Sequence, residues 1–224
     1  KMNLKLDIAK TGFIKIDQNI FELQQDKINS QFEKDYNNQD FRNTGYENIA
    51  VLSLDNLRSP IYQSILKKIF KILELNNLKY KFENVWLQHS ENFNVNPNLN
   101  ELPFIPHIDK IRKFKVMIYL NDVLRSNGPI NFAKYPPAKL EKFRISLKAD
   151  YKIKKENRIN FIPIKDYISC EGNFGTSIFF DTNAPHFAGN IYEKNSFRRI
   201  LRFNFIKEDN IIVKVRKLFN KIIL

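Results

Sequence analysis

Two of the chain's three histidines stand where their chemistry could be pooled. Pro106-His107-Ile108-Asp109 contains His-x-Asp. On an extended segment, residues two apart face the same way, so His107 and Asp109 present an imidazole and a carboxylate to one point. His186 follows 186 − 109 = 77 residues later, and a facing strand could bring it to the same point. Two imidazoles and one carboxylate on one face of an octahedron suit a non-haem Fe(II) ion, with three positions left for a bidentate co-substrate and O2. Gly175-Thr176-Ser177-Ile178-Phe179-Phe180-Asp181 reads as a strand after a turn, and Thr182-Asn183-Ala184-Pro185 then leads to His186.

The next strand offers cations. Arg198 lies 198 − 186 = 12 residues past His186. A guanidinium held on a strand can grip a carboxylate with two parallel hydrogen bonds. Arg199 is the competitor and requires the opposite strand phase. If Arg198 points inward, strand alternation turns Arg202 and Asn204 inward too, and Leu201, Phe203 and Phe205 outward. An inward Arg202 is costly to bury unpaired. It either pairs with an acid such as Asp122 or Glu171 or meets an anionic ligand, and on this basis it is the tentative substrate-binding residue. The third histidine, His89, follows Gln88 on a strand and faces the other way; it reads as structural, and Trp86 as core.

The elements that must hold these groups divide the chain in two. Residues 1–78 read as mainly helical support. One helix starts at Ser59-Pro60, with Ser59 as cap and Ile61, Ile65, Leu66, Ile69, Phe70 and Leu73 on one face. Another is expected over Ile20–Phe32, after a strand following Gly12. Residues 79–207 read as short strands: Lys81–Ser90, Phe114–Leu120, Ile130–Ala133, Arg158–Ile168, Thr176–Phe180, His186–Ala188 and Arg198–Ile206. Their dense Gly, Pro and Asn punctuation suggests a jelly roll with helices packed on one outer face. Residues 208–224 read as a C-terminal helix, and the polar stretch between Pro136 and Arg158 as a lid whose Lys139, Lys142 and Arg144 lie over the mouth.

These pieces, in order, resemble the phytanoyl-CoA dioxygenase family of 2-oxoglutarate oxygenases. The resemblance rests on His107-x-Asp109, on Val116-Met117-Ile118-Tyr119-Leu120-Asn121-Asp122 leading to Asn127-Gly128-Pro129, on Gly175 to His186, and on Phe197-Arg198. Ile8 to Ile16 is similar to the family's first helix and strand. The resemblance implies a single domain over 1–224 with a mainly β fold, a double-stranded β-helix (jelly roll) flanked by helices. It implies Fe(II) on His107, Asp109 and His186, 2-oxoglutarate on Arg198, and O2 as co-reactant. Oxidative decarboxylation of 2-oxoglutarate to succinate and CO2 would drive oxidation of a small molecule. Halogenating relatives carry a small residue at the position of Asp109, so the carboxylate implies hydroxylation or a related oxidation. Members often carry a hydroxyl two residues after the second histidine; here that position is Ala188.

Composition sets the remaining bounds. Hydrophobic residues make up 43% of the chain and Phe occurs 20 times, too apolar for disorder. No apolar run reaches the ~18 residues of a spanning helix. Lys1–Lys10 alternates charged and apolar residues, unlike a secretory signal. With one cysteine, Cys170, no internal disulfide can form, which points to a reducing cytoplasm. The charge of 37 − 24 = +13 is scattered, without a basic block, so no nucleic-acid partner is expected. A basic nucleic-acid-binding domain and an inactive jelly-roll binding module are the competing readings. A zinc hydrolase is not favoured, because the helical His-Glu-x-x-His is absent.

Overall fold

The computed structural model describes residues 3–38, 42–43, 48–91, 99–100, 102–146 and 158–207. The expected C-terminal helix lies outside these residues, as does 147–157 of the expected lid. The elements run α1 (Leu4–Thr11), β1 (Phe13–Ile16), α2 (Gln25–Asn37), β2 (Arg42–Asn43), β3 (Asn48–Ser53), α3 (Pro60–Leu75), β4 (Tyr80–Glu91), β5 (Phe114–Tyr119), β6 (Ile130–Ala133), α4 (Glu141–Ser146), β7 (Tyr167–Ser169), β8 (Ser177–Asp181), β9 (His186–Ala188) and β10 (Phe197–Lys207).

Helix α3 buries Ile65, Leu66, Ile69 and Leu73 of the expected face together with Tyr62, whereas Phe70, expected on that face, is 39% exposed. Ser59 occupies the cap position, but its hydroxyl makes no capping bond; the start is set by Pro60, whose ring fixes a helical φ. Helix α2 begins at Gln25 rather than Ile20. Ahead of it the Asn19 side chain donates to the Leu23 carbonyl and accepts from the Leu23 N–H. Glu22 is left-handed at φ 55°, a conformation a right-handed helix cannot pass through.

Seven antiparallel strands form one sheet in the order β1-β8-β5-β10-β4-β3-β2, and β7-β6-β9 form a smaller one. The architecture is a double-stranded β-helix with helices on the outer face of the large sheet. Strand β10 shows the division. Its Leu201, Phe203 and Phe205 join Ile28, Phe32, Ile65 and Ile69 in the core between sheet and helices. Its Ile200 joins Met117, Phe132, Ile178 and Phe180 between the two sheets. Each fully buried Leu or Phe contributes on the order of 2 kcal/mol of apolar transfer.

Two expectations change. The first third is not purely helical support, because β3 pairs with β4 from Asn48↔His89 to Ser53↔Asn84. Its Ile49-Ala50-Val51-Leu52 is an unbroken apolar run, which periodicity cannot assign. The strand expected over Arg158–Ile168 shrinks to Tyr167–Ser169, with Arg158 making an isolated bridge to His107. Pro163, which has no N–H for a ladder, leads into a short 3-10 turn at Ile164–Asp166.

Gly12 ties the first strand to the site. It ends α1 at φ +85°, and a Cβ there would stand 2.4 Å from that of Ala184, two residues before His186. Gly12→Ala is expected to destabilise the protein by at least about 2 kcal/mol from backbone strain alone. Denaturant unfolding with far-ultraviolet circular dichroism measures it; a loss under half that would show that the turn yields freely.

Candidate metal centre and cavity

His107, outside the named strands, lies directly opposite His186 of β9 in an isolated antiparallel bridge. The His107 N–H donates to the His186 carbonyl at 3.0 Å, and the His186 N–H to the His107 carbonyl at 2.9 Å. Two more bonds extend the pairing, from the Asp109 N–H to the Thr182 carbonyl (3.0 Å) and from the Thr182 N–H to the Lys113 carbonyl (2.9 Å). One donor atom each from His107, Asp109 and His186 lies within 4.8 Å of the others. Asp109 Oδ1 is 3.7 Å from His186 Nε2 and 4.0 Å from His107 Nε2.

The two imidazoles are oriented alike. His107 Nδ1 meets the Ile105 carbonyl at 2.7 Å and His186 Nδ1 the Ala184 carbonyl at 2.8 Å. A carbonyl only accepts, so each Nδ1 carries the proton and each Nε2 presents a lone pair to the shared point. Burial lowers the pKa of both rings, His186 to about 3, so they stay neutral, the form that ligates metal. Asp109 is held well below the usual carboxylate range; burial opposes this but is outweighed by Lys115 and the two histidines. Two neutral nitrogens and one carboxylate fit a divalent transition-metal ion.

Lys115 is the group that sequence reading missed. It is buried on β5, and its Nζ lies 2.6 Å from Asp109 Oδ2. The bond leaves Oδ1 as the oxygen nearest the histidines. Burial lowers the Lys115 pKa to about 8, with the Asp109 charge opposing the shift. The alternation of Phe114-Lys115-Val116-Met117 carried the signal: a lysine in phase with the inward Met117.

A second cluster fixes the turn before His186. Arg112 donates to both Asp181 oxygens, from Nε at 3.0 and 2.9 Å and from Nη2 at 2.6 Å, and its Nη1 reaches Glu141 at 2.9 Å. Glu141 also accepts from Asn183 at 2.7 Å. The segment after Asp109, the lead-in to His186 and α4 are thereby clasped together. Arg144 pairs with this Glu141, and Lys139 lies over the Tyr135 ring. Neither they nor Lys142 line the cavity, contrary to the expected basic mouth.

The cavity beside the three donors has a volume of about 300 Å³. Arg198 and Arg202 both line it, as do Gln88, Trp86 and Ala188. Arg198 is buried, whereas Arg199 points the other way, to Asn29 and Glu33 on α2 at 3.1 Å. The strand phase is therefore the one that puts Arg198 inside. His89 packs outside, edge-on to Tyr36. Trp86, expected as core, is a wall of the cavity, with the Arg202 guanidinium 3.9 Å from its ring centroid. The Asp122 carboxylate, one acid considered for Arg202, instead accepts the Phe174 N–H. Cys170 is buried, and burial pushes its thiol up to about 12, which leaves it chemically inert.

No family model and no curated protein matches the sequence. Solved structures do resemble the fold. The epimerase SnoN, a non-heme alpha ketoglutarate dependent enzyme from nogalamycin biosynthesis, solved with Fe3+, alpha ketoglutarate and nogalamycin RO, aligns with a TM-score of 0.65 and 12% identity over 91% of this chain and 82% of that one. HygX from Streptomyces hygroscopicus, with nickel, 2-oxoglutarate and hygromycin B bound, aligns at 0.60 with 10% identity over 93% and 88%. A Trichoplax adhaerens prolyl hydroxylase in complex with a hypoxia inducible factor peptide aligns at 0.61 with 14% identity over 92% and 88%. The double-stranded β-helix is common to all of them. No helix among the described residues is long and apolar enough to cross a membrane.

The geometry predicts one divalent ion per chain. Titration calorimetry with Ni(II) is expected to give a stoichiometry near one for the native chain and no binding for His186→Ala, since only two donors would remain. Undiminished binding in that variant would remove His186 from the ligand set.

Proposed function

We propose that the chain is an Fe(II)- and 2-oxoglutarate-dependent oxygenase, a relative of the phytanoyl-CoA dioxygenases, which hydroxylates a small polar or anionic molecule. The observation that carries this reading is the convergence of His107, Asp109 and His186 beside a cavity into which Arg198 also points. In this reading His107 and His186 hold iron(II) through Nε2 and Asp109 through Oδ1. When bound, iron(II) with 2-oxoglutarate supplies the O2 activation and C–H oxidation that side chains cannot perform.

The chain's own groups then have separate tasks. Arg198 grips the distal carboxylate of 2-oxoglutarate with its guanidinium fork, and burial shields that pair from water. Lys115 keeps Asp109 Oδ2 engaged, so the carboxylate presents one oxygen. Met117, Ile130, Phe180 and Ile200 supply apolar walls that keep bulk water out. Ala188 offers a methyl group where relatives offer a hydroxyl, so co-substrate orientation rests on the cationic and apolar contacts. The Asp109 carboxylate occupies the place that halogenating relatives leave for halide, which favours hydroxylation. We further propose that residues 1–224 form one oxygenase domain, without a nucleic-acid partner, in the cytoplasm; the single buried cysteine supports a reducing compartment.

The native chain, given Fe(II), 2-oxoglutarate and air, is expected to release succinate slowly even without its substrate. Chelation or His186→Ala should stop it. Metal and 2-oxoglutarate binding without any succinate would instead identify a binding module. Arg198→Lys keeps the charge but loses the fork, so it should weaken 2-oxoglutarate binding by about tenfold or more. Arg199→Ala, on the outer face, should leave that affinity within about twofold. The reverse pattern would move the co-substrate contact to Arg199.

A further inference from the structure

Lys115 is 8% exposed, and an ammonium is costly to bury. A divalent ion on His107, Asp109 and His186 would itself compensate the Asp109 charge and would repel a second cation beside it. As a counter-ion, Lys115 is therefore redundant once the metal is in place. An apolar side chain of similar volume would fill the same room on β5 without the cost. What the ammonium offers, and an apolar group cannot, is a donor at a fixed point.

That point is set by the sheet. The Lys115 Cα lies opposite Phe180 of β8 and Asn204 of β10. Its ammonium stands 5.8 Å from the centroid of the Phe180 ring, and the same ring lies edge-on to that of His186, with centroids 5.7 Å apart. From there Nζ donates to Asp109 Oδ2 at 2.6 Å, the short distance of a charge-assisted bond. The other oxygen, Oδ1, lies 3.7 Å from His186 Nε2 and 4.0 Å from His107 Nε2. The Asp109 main chain is anchored by its own N–H on the Thr182 carbonyl, which leaves the side-chain torsions as its freedom. The terminal torsion of an aspartate is broad and two-fold, and a carboxylate can bind a metal through one oxygen or through both.

Resting on the oxygenase reading, we propose that Lys115 is a positioning residue: by holding Asp109 Oδ2 it stops the carboxylate from chelating the metal through both oxygens, and so keeps one coordination place open for O2. Three protein donors leave three places of an octahedron. 2-Oxoglutarate takes two, and a second Asp109 oxygen would take the third. Lys115 acts through Asp109 alone. It donates to the carboxylate and so draws electron density away from a ligand, whereas partners that accept from a ligand raise its basicity. Its loss therefore closes a place without loosening the ion.

Nitric oxide, a stand-in for O2, reads the open place through the electron paramagnetic resonance of the anaerobic Fe(II) protein with saturating 2-oxoglutarate. The native chain is expected to take up nitric oxide saturably. Lys115→Met should hold Ni(II), measured by calorimetry, at least as tightly as the native chain. It should bind nitric oxide at least about tenfold more weakly, the worth of a hydrogen bond to a charged group. A lysine that only braced the fold would weaken both on removal. Lys115→Arg keeps a charged donor and should recover most of the nitric oxide affinity. Lys115→Gln, uncharged and too short to reach Oδ2, serves if the Lys115→Met chain does not fold, with the same two changes expected. Native-like nitric oxide affinity in either uncharged variant, or Ni(II) affinity lost along with it, would overturn the positioning role and leave the oxygenase reading intact. A native chain that holds Ni(II) but neither 2-oxoglutarate nor, on Fe(II), nitric oxide would remove the oxygenase reading and the proposal with it.

Discussion

Everything at the centre depends on one reciprocal pair of backbone hydrogen bonds, between His107 and His186. Residues 79 positions apart are held face to face (186 − 107 = 79), and their side chains leave the same side of the sheet. Each ring is then turned by the carbonyl two residues before it. The donor set is preorganised by main-chain atoms, which side-chain substitution elsewhere does not remove. The clasp of Arg112 on Asp181 and Glu141 adds a second, electrostatic tie between the same two segments.

Strand β10 imposes the other constraint. Alternation makes it serve two environments at once, with Leu201, Phe203 and Phe205 against the helices and Arg198 and Arg202 toward the cavity. A slip of one residue would exchange Arg198 with Arg199 and drive aromatic rings into the polar cavity. The outer hydrophobic core thereby fixes which arginine faces the ligands. Packing energy far from the chemistry selects the register on which the chemistry depends.

These relations were legible in the sequence to different degrees. The His-x-Asp pair, the phase of Arg198 and most of the amphipathic stripe of α3 could be read, because each is a local pattern with a fixed period; His186 could be read from the strand and turn that lead into it. Strand β3 could not, since Ile49-Ala50-Val51-Leu52 carries no alternation and only its partner β4 makes it a strand. The start of α2 was misplaced because an Asn19 side-chain turn, invisible to periodicity, delays it to Gln25. Trp86 reads as core from its type alone, and only its opposition to Arg202 across β4 and β10 makes it a cavity wall. The Lys115–Asp109 contact likewise joins β5 to the segment before it, in a placement no local pattern states.

The pairing of β1 with β8 reaches further than architecture. Phe13 lies opposite Phe180, 180 − 13 = 167 residues away, and the Gly12 carbonyl receives the Asp181 N–H. Strand β1 is therefore synthesised well before the strand it pairs with. Until β8 has been synthesised, β1 has no ladder, and the turn before His186 has nothing behind Ala184. So non-local a closure makes for slow folding. It also makes the nascent chain dependent on keeping its apolar first strand out of other company while it waits.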